Sequence, residues 1–308
     1  MAIVPGCRPG LAAVSAVVAA AAFALSAALP AAAQTLERIA AAGIIKVGVR
    51  EDARPFSFLD AAGAAEGYTV ALCRALAEDV KSQLGLTELS IEYLPLSTED
   101  RFRAVAEGRV DIHCGASTVT LERRKTVAFS IPTFHTGIGT VMRADAPAFL
   151  RDTLSKRRPT LPARVALLQA FADRAFGVRV STTTETWLRE AIRDLASNAE
   201  IVTLDSHDDG LRRVLSGELD AYFADRAILL GLVAASDDPA AFEVGARSYT
   251  HEPYALALSK GDEDFRLLVD RSLSRLYSSG EIAPIFNRYF GRLSRSALQL
   301  FVMTAIPE

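Results

Sequence analysis

The residues best equipped for chemistry in this chain are arginines set beside short hydroxyl runs. The clearest case is residues 111–129, DIHCGASTVTLERRKTVAF. Val110, Ile112 and Cys114 alternate as a strand does, and the chain then breaks at Gly115 into Ser117, Thr118 and Thr120. Such a loop presents backbone N–H groups and hydroxyls together, and both can hydrogen-bond a small ligand's carboxylate. Arg123 follows, with a planar fork that holds a carboxylate bidentately, as a lysine cannot. Alone this is a weak signal, because arginines in polar loops are more often solvated than ligand-binding.

Further candidates repeat the pattern. Arg50 follows a strand rich in β-branched residues, 44–49, at the end where ligands collect in open α/β sheets; a surface arginine beside Glu51 is the ordinary alternative. Thr98 with Glu99 or Asp100 marks a helix start that puts Arg101 in the first turn. A cation there is unfavourable by roughly a few tenths of a kcal/mol against the helix dipole, which favours a role such as meeting an anion. Thr182 and Thr183 open another helix, where hydroxyls and free N–H groups make an anion site, although Thr182 to Glu185 is also an ordinary capping box. Asp225 follows the strand 219–223 and is placed to hold an ammonium group; a salt bridge to Arg226 or Arg212 is the alternative. His207 stands alone, and a lone histidine is more often structural or exposed.

The elements that must position these groups alternate between strand and helix. A short helix, LERIAAAG, precedes the strand 44–49, and a turn at 60–63 leads to a helix entered at Gly67. Its apolar stripe is Val70, Cys73, Leu76, Ala77, Val80 and Leu84, with Thr69 as a possible N-cap. A strand at 91–94 follows. RFRAVAEGRVDI (101–112) and GLRRVLSGELDA (210–221) echo one another, each a helix stopped at a glycine, Gly108 or Gly217, and followed by a strand. The pattern continues with a strand at 178–180, a helix burying Leu188, Ile192 and Leu195, a strand at 254–258 and a helix at 262–279 stopped by Gly280. Residues 147–162 read as a solvated surface excursion, and the tail through Phe301 and Met303 as packing back on the first lobe.

Residues 1–33 read as a secretion signal: Arg8 is the only charge before an Ala/Val/Leu run, and Ala31-Ala32-Ala33 precedes Gln34 as a small-residue cleavage site. About 275 residues then remain, enough for two lobes with their own cores. No second long apolar run appears, so the mature protein is expected to be soluble, and a monomer is the default. A net charge of −3 argues against nucleic acid or an acidic membrane surface as the main partner. Cys73 and Cys114 survive processing, each on an apolar face, and two separate buried thiols are the expected outcome over a disulfide. The four histidines are scattered and no cysteine spacing suits a metal, so no metal site and no cofactor are expected.

Three patches resemble the solute-binding proteins, family 3, of polar amino acid ABC importers, and most closely their glutamate/aspartate branch. They are VGVREDARPFSFLD, Cys114 to Thr118 with Glu122-Arg123, and His207 to Asp225. The resemblance spans the mature chain. It implies a periplasmic-binding-protein-like type II fold, with two α/β lobes joined by a two-strand hinge and a ligand cleft between them. Lobe 1 would be 34–136 and 251–308, and lobe 2 would be 137–250. Two departures stand out: Thr69 and Ala71 lack the acids of the usual helix start, and Ser181 takes a glycine's place.

The resemblance also implies a periplasmic binding protein, not an enzyme, that closes on an acidic amino acid and docks on a membrane permease. Arg123 with Thr118 and Thr182 would serve the α-carboxylate and Asp225 the ammonium, and Ser117 and Thr183 would also bind the ligand. Arg50, Thr98, Arg101 and His207 would meet the side-chain carboxylate. Ala116 replaces a serine of the branch, losing a hydrogen bond. Nothing separates glutamate from aspartate. A cyclohexadienyl dehydratase-like enzyme and a ligand-sensing protein are the alternatives on the same fold.

Overall fold

The computed structural model describes residue 2 and residues 35–155 and 163–307. The expected signal segment and its cleavage site lie outside the described residues, apart from residue 2.

Two five-stranded sheets organise the chain. The first runs in the order Ser90–Pro95, Ile44–Val49, Ile112–His113, Ala257–Leu258, Ala128–Phe129. Its first three strands are parallel, and Ala257–Leu258 is antiparallel to both its neighbours. Parallel strands are covered on both faces, which is why Ile45, Val47 and Val49 are fully buried. The second sheet runs Glu200–Leu204, Ala175–Arg179, Ala221–Asp225, Ile138–Arg143, Phe242–Val244 and is built wholly from residues 138–244. The chain passes between the two lobes through Phe134–Thr136 and Glu252–Tyr254, which pair antiparallel.

The helix Tyr68–Gln83 packs on the first sheet with Val70, Cys73, Leu76, Ala77 and Val80 inward. Its N-cap is Gly67 and not Thr69. Gly67 has φ 127°, and a Cβ there would lie 2.2 Å from the Phe56 carbonyl oxygen, so only glycine fits. Thr69 sits inside the first turn instead, donating its hydroxyl to the carbonyls of Phe56 (2.8 Å) and Cys114 (3.1 Å).

Cys73 and Cys114 form a disulfide, which corrects the expectation of two separate thiols. Both apolar faces were legible; that they face each other was not. The helix lies directly over the end of the Ile112–His113 strand and brings the two Cα atoms to 6.4 Å.

Two smaller expectations also change. Ala148–Ser155 is a helix that buries Leu150 and Leu154 in the second lobe's core, so this part of 147–162 is no solvated excursion; residues 156–162 lie outside the described residues. In the tail, the helix Arg295–Thr304 buries Phe301 against Tyr277 and Phe286, but Met303 is 75% exposed, one helical face away. Among the described residues no helix is long and apolar enough to cross a membrane, and no group of three or more metal-ligating side chains occurs.

Candidate functional site

Parallel strands end on one side of a sheet, and the loops leaving those ends converge on a crevice. In the first lobe they deliver Arg50, Thr98 with Arg101, and the Gly115 to Arg123 loop. In the second they deliver Arg179, His207 and Asp225. Arg50, Thr98, Arg101, Thr182, His207 and Asp225 line one cavity between the lobes, with Arg179 among them. Thr118, Arg123 and Thr183 line an adjoining opening that shares Thr182 with it. Ser117 lines neither. Its hydroxyl shares a 3.2 Å hydrogen bond with His113 Nδ1, and its carbonyl accepts from Ala255 N–H at 3.0 Å.

The first lobe supplies cations at a desolvated surface. Arg50 is 5% exposed and Arg101 4%, and Arg50 Nε and Arg101 Nη1 find no hydrogen-bond partner among the described residues. Arg101 lies over the Phe102 ring (4.4 Å), as does Arg123 (5.0 Å), so one aromatic ring carries two guanidinium groups. Arg123 Nη1 also donates to the Thr118 carbonyl at 2.8 Å, which fixes the fork. Burial lowers the pKa of Arg50 to about 10 and, with Arg123 and Arg50 nearby, holds Arg101 well below the usual arginine value. A buried cation short of acceptors favours an incoming anion.

Gly115 allows this packing. A Cβ at that position would meet the His113 ring at 2.5 Å and the Arg50 side chain at 3.0 Å. His113 itself is fully buried, and burial beside Arg101, Arg50 and Arg123 pushes its pKa well down, so the ring is neutral.

The second lobe answers with caps and one orphan acid. Thr182 Oγ1 accepts from Glu185 N–H at 3.1 Å and donates to the Arg179 carbonyl at 2.7 Å, so Thr182 caps the helix; the return bond of a capping box shifts by one residue, with Glu185 Oε2 accepting from Ser181 N–H at 2.8 Å. Ser181 adopts φ 57°, the left-handed conformation that favours glycine. His207 opens the helix His207–Ser216, capped by Ser206, and its Nδ1 shares a 2.8 Å hydrogen bond with the Tyr222 hydroxyl. Burial beside Arg179 and Arg50 keeps this imidazole neutral as well.

Asp225 pairs with neither Arg226 nor Arg212; it accepts from the Tyr254 hydroxyl through Oδ2, while Oδ1 has no partner among the described residues. Burial and the neighbouring Glu252 push its pKa up to about 8. Glu252 Oε2 in turn accepts hydroxyls from both lobes, Thr118 at 2.5 Å and Thr183 at 2.9 Å.

Sequence reasoning missed Arg179, Asp52 and Glu252. Arg179 donates Nε to Thr98 Oγ1 at 2.9 Å across the cleft and pairs with Asp52. One signal could have found it: like Arg50 it stands at the end of a parallel strand, and in its case a hydroxyl-rich helix start follows. Asp52 and Glu252 carried no such mark.

Known proteins agree with this architecture. The family described as bacterial extracellular solute-binding proteins, family 3, matches residues 45–292. The chain is 30% identical over 263 residues to the glutamate/aspartate import solute-binding protein of Escherichia coli strain K12, covering 85% of this chain and 82% of that one. It is 30% identical over 257 residues to the L-glutamate/L-aspartate-binding protein of Pseudomonas aeruginosa, covering 83% and 80%. Among solved structures, the ancestral amino acid-binding protein AncCDT-1, a precursor of cyclohexadienyl dehydratase, superposes with a TM-score of 0.69 at 26% identity, covering 84% of this chain and 100% of that one. An ancestral arginine-binding protein bound to glutamine shares the fold, with a TM-score of 0.67 at 23% identity, 81% and 99% covered. Two α/β lobes around a cleft, with the family's sequence running through both, make this chain a member of the bacterial extracellular solute-binding proteins, family 3.

Proposed function

We propose that this protein captures an acidic amino acid, glutamate or aspartate, in the periplasm by closing its two lobes, and presents it to the permease of an ABC importer. The observation that carries the reading is the pairing of opposites in one cavity. Among the described residues, Arg50 Nε and Arg101 Nη1 are buried donors without acceptors, and Asp225 Oδ1 is a buried acceptor without a donor. Two carboxylates and one ammonium satisfy all of these groups. Arg123 and the N-terminal N–H groups of the Thr183–Leu195 helix, beside Thr118, Thr182 and Thr183, take the α-carboxylate. Asp225 takes the ammonium. Arg50, Arg101, Thr98 and His207 take the distal carboxylate. A neutral ligand leaves a buried guanidinium unpaired, at a cost of about 3 kcal/mol.

The chain works by binding and movement, because both lobes contribute ligands and the bound acid favours the closed form. The sequence contains no P-loop, so energy for transport comes from the importer.

Isothermal titration of the mature protein, stripped of ligand by unfolding and refolding, tests the reading against glutamate, aspartate, glutamine, arginine and prephenate. Tight binding of an acidic amino acid, weakened at least a hundredfold in Arg101→Met and Arg123→Ala, is expected. Preference for glutamine or arginine would remove the charge assignment, and turnover of prephenate would replace a binding protein with an enzyme.

A further inference from the structure

The carboxylate of Asp52 is held as a ligand's would be. Its Oδ1 accepts from Arg50 Nη2 at 3.2 Å; its Oδ2 accepts from the backbone N–H of His207 at 3.2 Å and from Arg179 Nη1. Arg50 belongs to the first lobe, whereas Arg179 and His207 belong to the second, 127 and 155 residues beyond Asp52. Arg179 is itself anchored across the cleft through its hydrogen bond to Thr98. The side chains of Arg179 and Asp52 are only 9% and 14% exposed, so the pair is largely shielded from water and salt. Two guanidinium groups and a helix N-terminus, gathered from both lobes around one carboxylate, form the arrangement that closes a cleft on a bound acid. Here the chain supplies the acid itself.

We infer that Asp52 is a resident carboxylate that occupies one anion position of the cleft, draws the lobes together without ligand, and sets how strongly the site discriminates acidic from neutral amino acids. The selectivity part rests on the acidic amino acid reading; the closure part does not. Because Asp52 already compensates Arg179, a neutral ligand leaves fewer guanidinium groups unpaired than the arginines of the cavity would otherwise dictate, which narrows the discrimination. Ligand also enters only the open form, so closure by Asp52 lowers the apparent affinity by the fraction of molecules that are open.

Two measurements on the full mature protein decide this. Small-angle scattering without ligand reads closure, using Asp52→Asn, which keeps the side chain's shape, Arg179→Gln, and the charge exchange Asp52→Arg with Arg179→Asp; a melting curve confirms that each is folded. The native protein is expected to be compact, both single variants to show a larger radius of gyration, and the exchange to recover part of the compaction. Titration of Asp52→Asn is expected to give at least tenfold tighter glutamate binding and at least a tenfold larger ratio of the glutamine to the glutamate dissociation constant.

Scattering profiles unchanged in both single variants would overturn the closure. Weaker glutamate binding at an unchanged ratio would make Asp52 a mere structural support and overturn the selectivity. Should the native protein bind no acidic amino acid, the proposed function fails, and the scattering of Asp52→Asn alone still upholds or sinks the resident closure.

Discussion

At the Asp225 carboxyl, a pKa raised to about 8 by burial and by Glu252 leaves the ligand-free protein mostly protonated there at neutral pH. An ammonium lodged against that carboxyl favours its ionised form, so capture at pH 7 expels a proton. Affinity should therefore rise with pH, by up to about tenfold per unit, and level off above about 8. Titrations at pH 7 in phosphate and in Tris should give different apparent enthalpies; identical enthalpies would mean that Asp225 is already ionised or does not meet the ammonium. For the ligand-free fold the sign is opposite. A carboxyl whose pKa is raised on folding adds stability that is complete below about pH 4 and lost as pH rises through about 8. Arg50, Thr98, Arg101, Thr182, His207 and Asp225 could be named as candidates from sequence because each follows a strand end or opens a helix, but only the fold shows that they line one cavity. Asp52 and Glu252 lack such a local signature. Their partners across the cleft lie more than 60 residues away, and no spacing rule reaches that far.

The disulfide shows the same limit at the scale of elements. Stripe and alternation put Cys73 and Cys114 on buried faces, but periodicity describes one element at a time and is silent on which faces meet. The bond ties the helix Tyr68–Gln83 to the strand that leads into the Gly115 to Arg123 loop, and so it underpins the floor of the cleft. Joining residues 41 apart, it should contribute about 4 kcal/mol. Urea unfolding of Cys73→Ala/Cys114→Ala, or of the native chain with reductant, should show that loss with a steeper slope on denaturant concentration, because the unlinked unfolded chain exposes more surface. Equal stability would mean that packing alone holds helix to strand. Helix ends were read more securely, because Gly217 and Gly280 both take the left-handed conformation that a stop requires.

Across the whole molecule, the two lobes differ in how the chain builds them. The second sheet uses only residues 138–244. In the first, Ala257–Leu258 fills an interior slot between Ile112–His113 and Ala128–Phe129, and among the described residues Ala128–Phe129 has no other strand partner. A chain ending at residue 250 should keep a protease-resistant second lobe while losing the first, as limited proteolysis with mass spectrometry would show; protection of residues 44–129 in that fragment would contradict it. Followed along the time axis of synthesis, the order has a further meaning. The ribosome delivers the C-terminal strand last, so the first lobe waits with a gap in its sheet until more than four-fifths of the chain has been made. A chain that cannot finish its first lobe until Ala257–Leu258 has been made leaves that sheet unfilled through most of its synthesis, and the delay is written into the strand order.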